Sequence, residues 1–404
     1  MNSNYLSCNG LGLSPSQMIS VLLNSYKKLP GWFKFEDREI IFTYQGRCAI
    51  ALACRIWNIG SGDEVLVPAY NCGAEIDPFS WFGAKAVFYR VDNNAVIDVK
   101  DIVRRVTSVT KMIFITHFFG WPQDTTELVG LCKKKGISLL EDCAQSLFSK
   151  GPNNSIGRLG DAVIFSFVKS APVPDGGALL LHKNSWAENR IIRAPRYHNI
   201  FLASLPLLKK WFMNTNDLWQ HHRFSRKLLS KSWLKKPISE ASVIRREMPK
   251  SNYFDKQKID WSISRMSKGI LYRLNSKIIF EIRRRNYQYL KENLINIAAI
   301  RLLYKDLPDG VCPLSFPILV KDRNRWCQAL EDCGILVGGW PSYHRRFSWA
   351  EFPEAQNLKD NLLTLPIHQD LGLHQMEYIA RCVKLIGSRH KEKTEVRDFK
   401  GYVI

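Results

Sequence analysis

Two stretches decide the architecture: ISLLEDCAQS at residues 137–146 and DAVIFSFVKSAPVPDGGALLLH at residues 161–182. The first is a short apolar run that ends on an acid, Asp142, and reads as a buried strand. The second holds two more strands, DAVIFSFVK and GGALLLH, joined through a Pro-rich link and the turn Asp175-Gly176-Gly177. Working upstream, KMIFITHFFG, KAVFYRVD and VLVP read as strands. TTELVGLCKKKG reads as a helix closed by a C-terminal glycine, and RCAIALACRIWN as a helix with apolar residues near helical spacing. Strands that alternate with helices predict an α/β fold, with a largely parallel sheet flanked by helices. The active edge of such a sheet lies at the carboxyl ends of its strands.

Farther out the pattern changes. Residues 1–38 read as a polar, weakly amphipathic leader, and residues 39–264 as a large domain with a basic, Trp-rich insertion over 190–260. Within the insertion, LPLLKKWF and FSRKLLSKSWLKK are helical candidates, either packed on the large domain or lying at a membrane surface. One long helix is expected from Ser264 to Leu294. Residues 265–404 form a smaller C-terminal α/β domain that includes this linking helix, with strands LSFPILVKD and LLTLPIH and helices RNRWCQALEDCGI and QMEYIARCVKLI.

The 404 residues are 46% hydrophobic and 24% charged, which excludes wholesale disorder. No apolar run approaches the roughly 18–20 residues of a membrane span. The start MNSNYLSCNGLGLSPSQ lacks a basic segment followed by an apolar one, so no secretory signal is read. The ten cysteines form no CxxC pair, and reduced thiols in a cytoplasm are the simplest expectation. The net charge of +21 asks for polyanionic partners. It concentrates between Arg190 and Asp260 and at Arg283-Arg284-Arg285. Solvated helix faces, an anionic membrane surface and attraction of sugar nucleotides all remain open. Nucleic acid is not expected, since no helix-turn-helix, zinc-finger or RNA-binding signature accompanies the charge. No metal-ligand spacing, Walker A, GxGxxG or GxSxG is present.

A carboxylate where a buried strand runs out, as at Asp142, must be paired or functional. Lys169 leaves the end of the next strand. Alone it reads as surface charge, but a lysine facing Asp142 across one cleft is the arrangement that pyridoxal phosphate (PLP) needs, an amine for the Schiff base and an acid for the pyridinium nitrogen. Gly46-Arg47 before a helix can bring backbone N–H groups and the helix dipole to a phosphate. His117 ends a strand and is either a hydrogen-bonded structural residue or a ring that stacks on a planar group. Cys72 could serve as a nucleophile, but no partner histidine can be assigned to it.

In order, QGRCAIALA, IGSGDEVLVPAYNC, GAKAVFYRVD, ITHFFGWPQD, LLEDCAQS, GRLGDAVIFSF and VKSAPVPDGGALL resemble the DegT/DnrJ/StrS family of PLP-dependent sugar aminotransferases, as a divergent branch. RRNYQYL, LEDCGILVGGWPSYH and LLTLPIHQDL extend the resemblance more thinly. The resemblance implies a fold-type I PLP enzyme, a homodimer, nucleotide-linked keto sugars as acceptors and glutamate as amino donor. It also implies an alternative, a non-catalytic or dehydratase-like relative on the same fold. By position, Lys169 would be the Schiff-base lysine and proton shuttle, and Asp142 would hold the ring nitrogen protonated. Gln145 would sit near the phenolic oxygen. Gly46, Arg47 and Ser166 would lie at the phosphate, and His344 near the substrate. The Ser166-to-Lys169 link is about two residues shorter than the family spacing, and forward counting lands on Ala171. Cys72 stands where the family often has an aromatic, which leaves ring stacking to Tyr70, to His117 or to no residue. The family's Gly-x-Asn-x-Arg segment is not recognisable, and the basic stretch occupies its place.

Overall fold

The computed structural model describes residues 6–7, 11–22, 30–151, 156–183, 193–215, 254–339 and 348–398. After β1 (Leu6–Ser7) and α1 (Pro15–Leu22), the chain alternates β2 (Arg38–Thr43), α2 (Gly46–Ile56), β3 (Glu64–Pro68), α3 (Gly73–Trp81), β4 (Lys85–Tyr89) and α4 (Val99–Arg105). The rhythm continues through β5 (Thr110–Thr116), α5 (Thr126–Lys135), β6 (Ser138–Asp142), β7 (Ala162–Ser166) and β8 (Gly177–His182). These strands build a seven-stranded sheet of order β2-β8-β7-β6-β5-β3-β4. Strands β4, β3, β5, β6 and β7 pair in parallel; β8 is antiparallel to both β7 and β2. The fold is therefore α/β, with a mostly parallel mixed sheet flanked by helices. Every residue of β3 and β7 is buried, as strands covered on both faces require. Helix α5 stops because Gly136 adopts φ 66°, the left-handed geometry that a glycine takes without steric cost.

The register sets the position of the site. Thr43 pairs with Gly177, Ser166 also pairs with Gly177, and Asp142 pairs with both Ile164 and Thr116. The carboxyl ends of β2, β3, β4, β5, β6 and β7 thus share one edge. Between β3 and β5 the chain reverses its direction of travel across the sheet, the place where α/β sheets open a crevice.

The second half begins with α6 (Tyr197–Thr215), α7 (Arg265–Arg273) and α8 (Ser276–Leu294). It continues with β9 (Ile300–Leu302), β10 (Phe316–Val320), α9 (Arg323–Asp332) and β11 (Ile335–Leu336), then α10 (Pro353–Asn361), β12 (Leu362–Leu365) and α11 (Leu373–Asp398). Strands β12, β10 and β9 form a small antiparallel sheet. Its apolar side chains, among them Phe316 and Leu363, join those on one face of the large sheet, such as Ile113 and Leu139, in one continuous core. The other face of the large sheet is closed by α2 and α3 through Ala49, Ile50, Ile76 and Phe79.

Three expectations change. The single long helix from Ser264 to Leu294 is two helices: α7 ends before Leu274, and Asn275 caps α8 by accepting from the Ile278 N–H at 3.2 Å. The polar leader contributes to the core. Leu13 and Phe33 are buried with Phe165 and Phe167, each burial stabilising by roughly 1.5–3 kcal/mol, and β1 pairs with β11. The arginine triplet is a solvated face only at Arg285, which is exposed. Arg283 is 1% exposed and donates to the Pro313 and Leu314 carbonyls, Arg284 donates to the Pro308 and Val311 carbonyls, and Arg285 donates to Asn286 Oδ1. Of the two helical candidates in the basic insertion, LPLLKKWF lies in α6 and FSRKLLSKSWLKK lies outside the described residues.

Candidate active site

The side chains singled out from the sequence, His344 apart, sit at or just past the carboxyl ends of β2, β3, β5, β6 and β7, so the shared edge brings them together. Past β6, Asp142 is buried and its Oδ1 accepts from the Ala144 N–H at 2.7 Å. Its Oδ2 is buried and has no hydrogen-bond partner among the described residues. Three residues on, Gln145 Oε1 accepts from the Phe119 N–H at 2.9 Å, which leaves the Nε2 amide buried without an acceptor. The site thus holds an orphaned acceptor and an orphaned donor. A protonated pyridine nitrogen and a phenolate oxygen would satisfy both, and in that respect the residues fit PLP.

Past β7 the chain makes a single turn of 3-10 helix, Phe167–Lys169, closed by the Ser170 and Ala171 N–H groups on the Phe167 carbonyl. Lys169 is half-buried and lies within electrostatic reach of Asp142, Cys72 and Glu75. Ala171, the position reached by forward counting, is buried in the core. Burial holds the Asp142 carboxyl above its ordinary range, opposed first by the Lys169 ammonium and then by the Ala144 N–H.

Past β2, α2 begins at Gly46, and Gln45 supplies no side-chain cap. A Cβ on Gly46 would lie 3.0 Å from Ser166 Cβ, so glycine brings the helix start against Ser166. Gly177 is tighter still: a Cβ there would stand 2.6 Å from the Gly46 nitrogen. The positive end of α2 thus meets Ser166 at the sheet edge, an arrangement suited to an anion.

The remaining positions divide. Past β5, His117 accepts from the Gln123 N–H at Nδ1 and contacts Glu141 Oε2 through Nε2 at 2.9 Å, which places its proton on Nε2. Both ring nitrogens are committed; only the ring faces are left for a planar ligand. Past β3, Tyr70 is fully buried with Phe118 in the core shared with the C-terminal sheet. Cys72 caps the start of α3, near Lys169 and Arg47, and burial pushes its thiol up to about 11. His344 lies outside the described residues.

Two functional-looking carboxylates were missed. Glu141, one residue before Asp142, accepts from His117 and from the N–H groups of Gly157, Leu159 and Gly160. Burial raises its pKa, but the His117 bond and the backbone donors outweigh it and leave the carboxyl below its ordinary value. The sequence signal was the doublet Glu141-Asp142. Glu75 sits buried in the first turn of α3, within electrostatic reach of Asp142 and Lys169. Its spacing from Cys72 looks like nothing more than a helix cap.

Residues 35–200 match the DegT/DnrJ/EryC1/StrS aminotransferase family. That segment carries the whole edge just described except for the contributions from α7 onward. GDP-perosamine synthase of Escherichia coli O157:H7 is 33% identical over 132 residues, 32% of this chain and 36% of that protein. The dTDP-4-dehydro-2,3,6-trideoxy-D-glucose 4-aminotransferase of Saccharopolyspora spinosa is 30% identical over 147 residues, 35% of this chain and 38% of that protein. The matched part therefore spans little more than a third of these relatives. The fold likeness runs farther: a PLP-form structure of Streptococcus pneumoniae Spr1654 superposes with a TM-score of 0.64, at 17% identity, over 93% of this chain and 95% of that one.

Proposed function

We propose that this chain is a PLP-dependent aminotransferase that moves an amino group, from a donor such as glutamate, to a nucleotide-linked keto sugar for polysaccharide or glycosylated-metabolite synthesis. One observation carries the reading: the buried Asp142 Oδ2 lacks a partner, within electrostatic reach of Lys169, at the edge where α2 presents its uncapped start. The family match over residues 35–200 and relatives named as nucleotide-sugar aminotransferases support it.

When bound, PLP supplies an aldehyde that condenses with amines and a protonated ring that withdraws electrons from the substrate carbon. Asp142 Oδ2 would hold the ring nitrogen protonated, and Gln145 Nε2 would serve the phenolic oxygen. The start of α2, with Gly46, Arg47 and Ser166, would hold the phosphate. Cys72 and His117 would line the ring, with Tyr70 supporting them from the core. Lys169 Nζ would anchor the cofactor and carry protons. The buried edge excludes water from these groups. His344 is assigned to the substrate side. The large domain over 39–264 carries this machinery in this reading.

The assembly is a cytoplasmic homodimer in this reading. No described helix is long and apolar enough to cross a membrane. The outer face of α6 shows Tyr197, Phe201, Leu202 and Leu205 to solvent beside exposed Arg193, Arg196 and Lys209, which suits peripheral contact with an anionic membrane surface. Binding to anionic but not neutral vesicles tests that contact.

The central test is spectroscopic. Protein supplied with PLP turns yellow, Lys169→Ala stays colourless, and glutamate bleaches the visible band of the wild type. Protein that remains colourless with PLP at every pH overturns the reading.

A further inference from the structure

Lys169 stands at the head of a short loop that leaves β7 and returns to β8, and Asp175 is the one charged residue on the return, residues 170–176. Backbone hydrogen bonds close the loop at its base. The Ser170 and Ala171 N–H groups donate to the Phe167 carbonyl at 3.0 and 2.8 Å, and the Phe167 N–H donates to the Gly176 carbonyl at 3.0 Å. The Gly176 N–H donates to the carbonyl of Tyr44, just upstream of Gly46, at 2.6 Å. One closed loop therefore carries the lysine and touches the approach to α2. Gly176 adopts φ 127°, and a Cβ there would stand 2.7 Å from Ile263 Cδ1, so the turn lies directly against the residue before Ser264.

Asp175 is 1% exposed, and its Oδ1 accepts from the Ser264 N–H at 2.8 Å. Ser264 is the N-cap of α7, where its Oγ accepts from the Ser267 N–H at 3.0 Å. In a reciprocal cap, the side chain of the third helical residue takes the N-cap N–H. Here that residue is Ser267, whose hydroxyl lies 3.1 Å from Ser264 Oγ. The N-cap N–H goes instead to an acid 89 residues upstream. Asp175 Oδ2 is buried as well, and the Ser264 and Ser267 hydroxyls neighbour the carboxyl. Burying an acid is costly, and a solvated turn has no need of one. What this acid secures is the attachment of the loop to α7.

We propose that Asp175 is a positioning residue for Lys169. Its carboxylate docks the return of the loop on the N-terminus of α7, and the closed base passes that constraint to the turn that carries the lysine. The same docking keeps Gly176 on Tyr44, so the lysine and the start of α2 hold one spacing. Asp175 acts through the backbone of the loop. The assignment rests on reading Lys169 as the reacting amine and deepens that reading.

Asp175→Asn keeps an acceptor for the Ser264 N–H, whereas Asp175→Ala removes it. The full-length chain, without PLP, is treated with trinitrobenzenesulfonate at fixed pH. Peptide mass spectrometry follows modification of Lys169 beside that of Lys291, half-buried on α8. In Asp175→Ala, Lys169 is expected to react roughly tenfold faster, because a charge-assisted hydrogen bond no longer holds the loop closed, while Lys291 is unchanged. Asp175→Asn should stay within about twofold of wild type, since the docking bond is kept. Ala labelling equal to wild type overturns the proposal. So does a rise shared by Lys169 and Lys291, which marks general unfolding. An Asn variant that labels like Ala overturns it too, because the Ser264 bond then holds nothing. Parallel wild-type samples with PLP keep the two readings apart. Yellow wild type with unmoved Ala labelling sinks the Asp175 assignment alone. Colourless wild type with Lys169 selectively faster in Ala sinks the aminotransferase reading and keeps the docking of the loop.

Discussion

Gln369 Nε2 donates to the Ser170 carbonyl at 3.1 Å while its Oε1 accepts from Arg283 Nε at 2.9 Å. One side chain thus ties the residue after Lys169 to a buried arginine of α8. The turn that carries the lysine belongs to the large sheet, and its brace belongs to the second half of the chain.

Gln369→Ala removes the brace. The rate constant for amino transfer should fall by roughly 10- to 100-fold with little change in KM, since the lysine is displaced rather than removed. The Arg283 Nε loses its acceptor, at a cost of about 1–3 kcal/mol in unfolding free energy. Gln369→Glu keeps an acceptor for Arg283 but sets a carboxylate against the Ser170 carbonyl, so stability should recover and rate should not. Steady-state kinetics beside denaturant melts decide between these outcomes.

Asp142→Asn should retain the fold and lose amino transfer by about two to three orders of magnitude. The amide keeps an acceptor for the Ala144 N–H but no longer favours a proton on the ring. Circular dichroism together with single-turnover bleaching by glutamate measures both halves. Activity within a few-fold of wild type would remove Asp142 from the site.

Gly177→Ala places a Cβ 2.6 Å from the Gly46 nitrogen and must push the start of α2 outward. The strain costs about 1–3 kcal/mol. Lys169 and Asp142 are untouched, so the expected signature is PLP affinity weakened by roughly tenfold or more, with the position of the visible band unchanged. Fluorescence titration with PLP provides the constant.

Glu141 predicts an acid limit. Its folded pKa lies below the unfolded one, so its stabilisation is full above the unfolded carboxylate range, near 4.5, and disappears as pH falls through the folded value. Glu141→Gln should lower stability by about 2–3 kcal/mol near neutrality and flatten the loss of stability on the acid side. Urea midpoints from pH 3 to pH 7 would show it. Parallel curves for the two proteins would mean that the His117–Glu141 contact carries no charge.

Much of the edge could be read from the chain because its strands are short, apolar and bounded by turn residues, and because Asp142 and Lys169 stand at their ends. The reading failed where partners are distant in sequence. Arg283 looked like surface charge because its acceptors, at Pro313, Leu314 and Gln369, are backbone oxygens and an amide that no local pattern pairs with it. Phe33 sat in a polar stretch whose hydrophobic period was too weak to announce burial, yet it packs on Phe165 and Phe167. Glu75 was hidden by its cap spacing. Asn275 gave a usable break signal, since an asparagine inside an apolar-periodic run can end one helix and open the next.

The pairing of β2 with β8 joins residues 38–43 to residues 177–182. The start of α2, proposed to hold the phosphate, follows one of these strands, and Lys169 precedes the other. During synthesis, therefore, the two halves of the proposed cofactor cradle cannot be joined through the sheet until the ribosome has delivered its last strand. Acquisition of colour would then report completion of the whole α/β layer, and a chain cut anywhere before residue 182 should never capture its coenzyme.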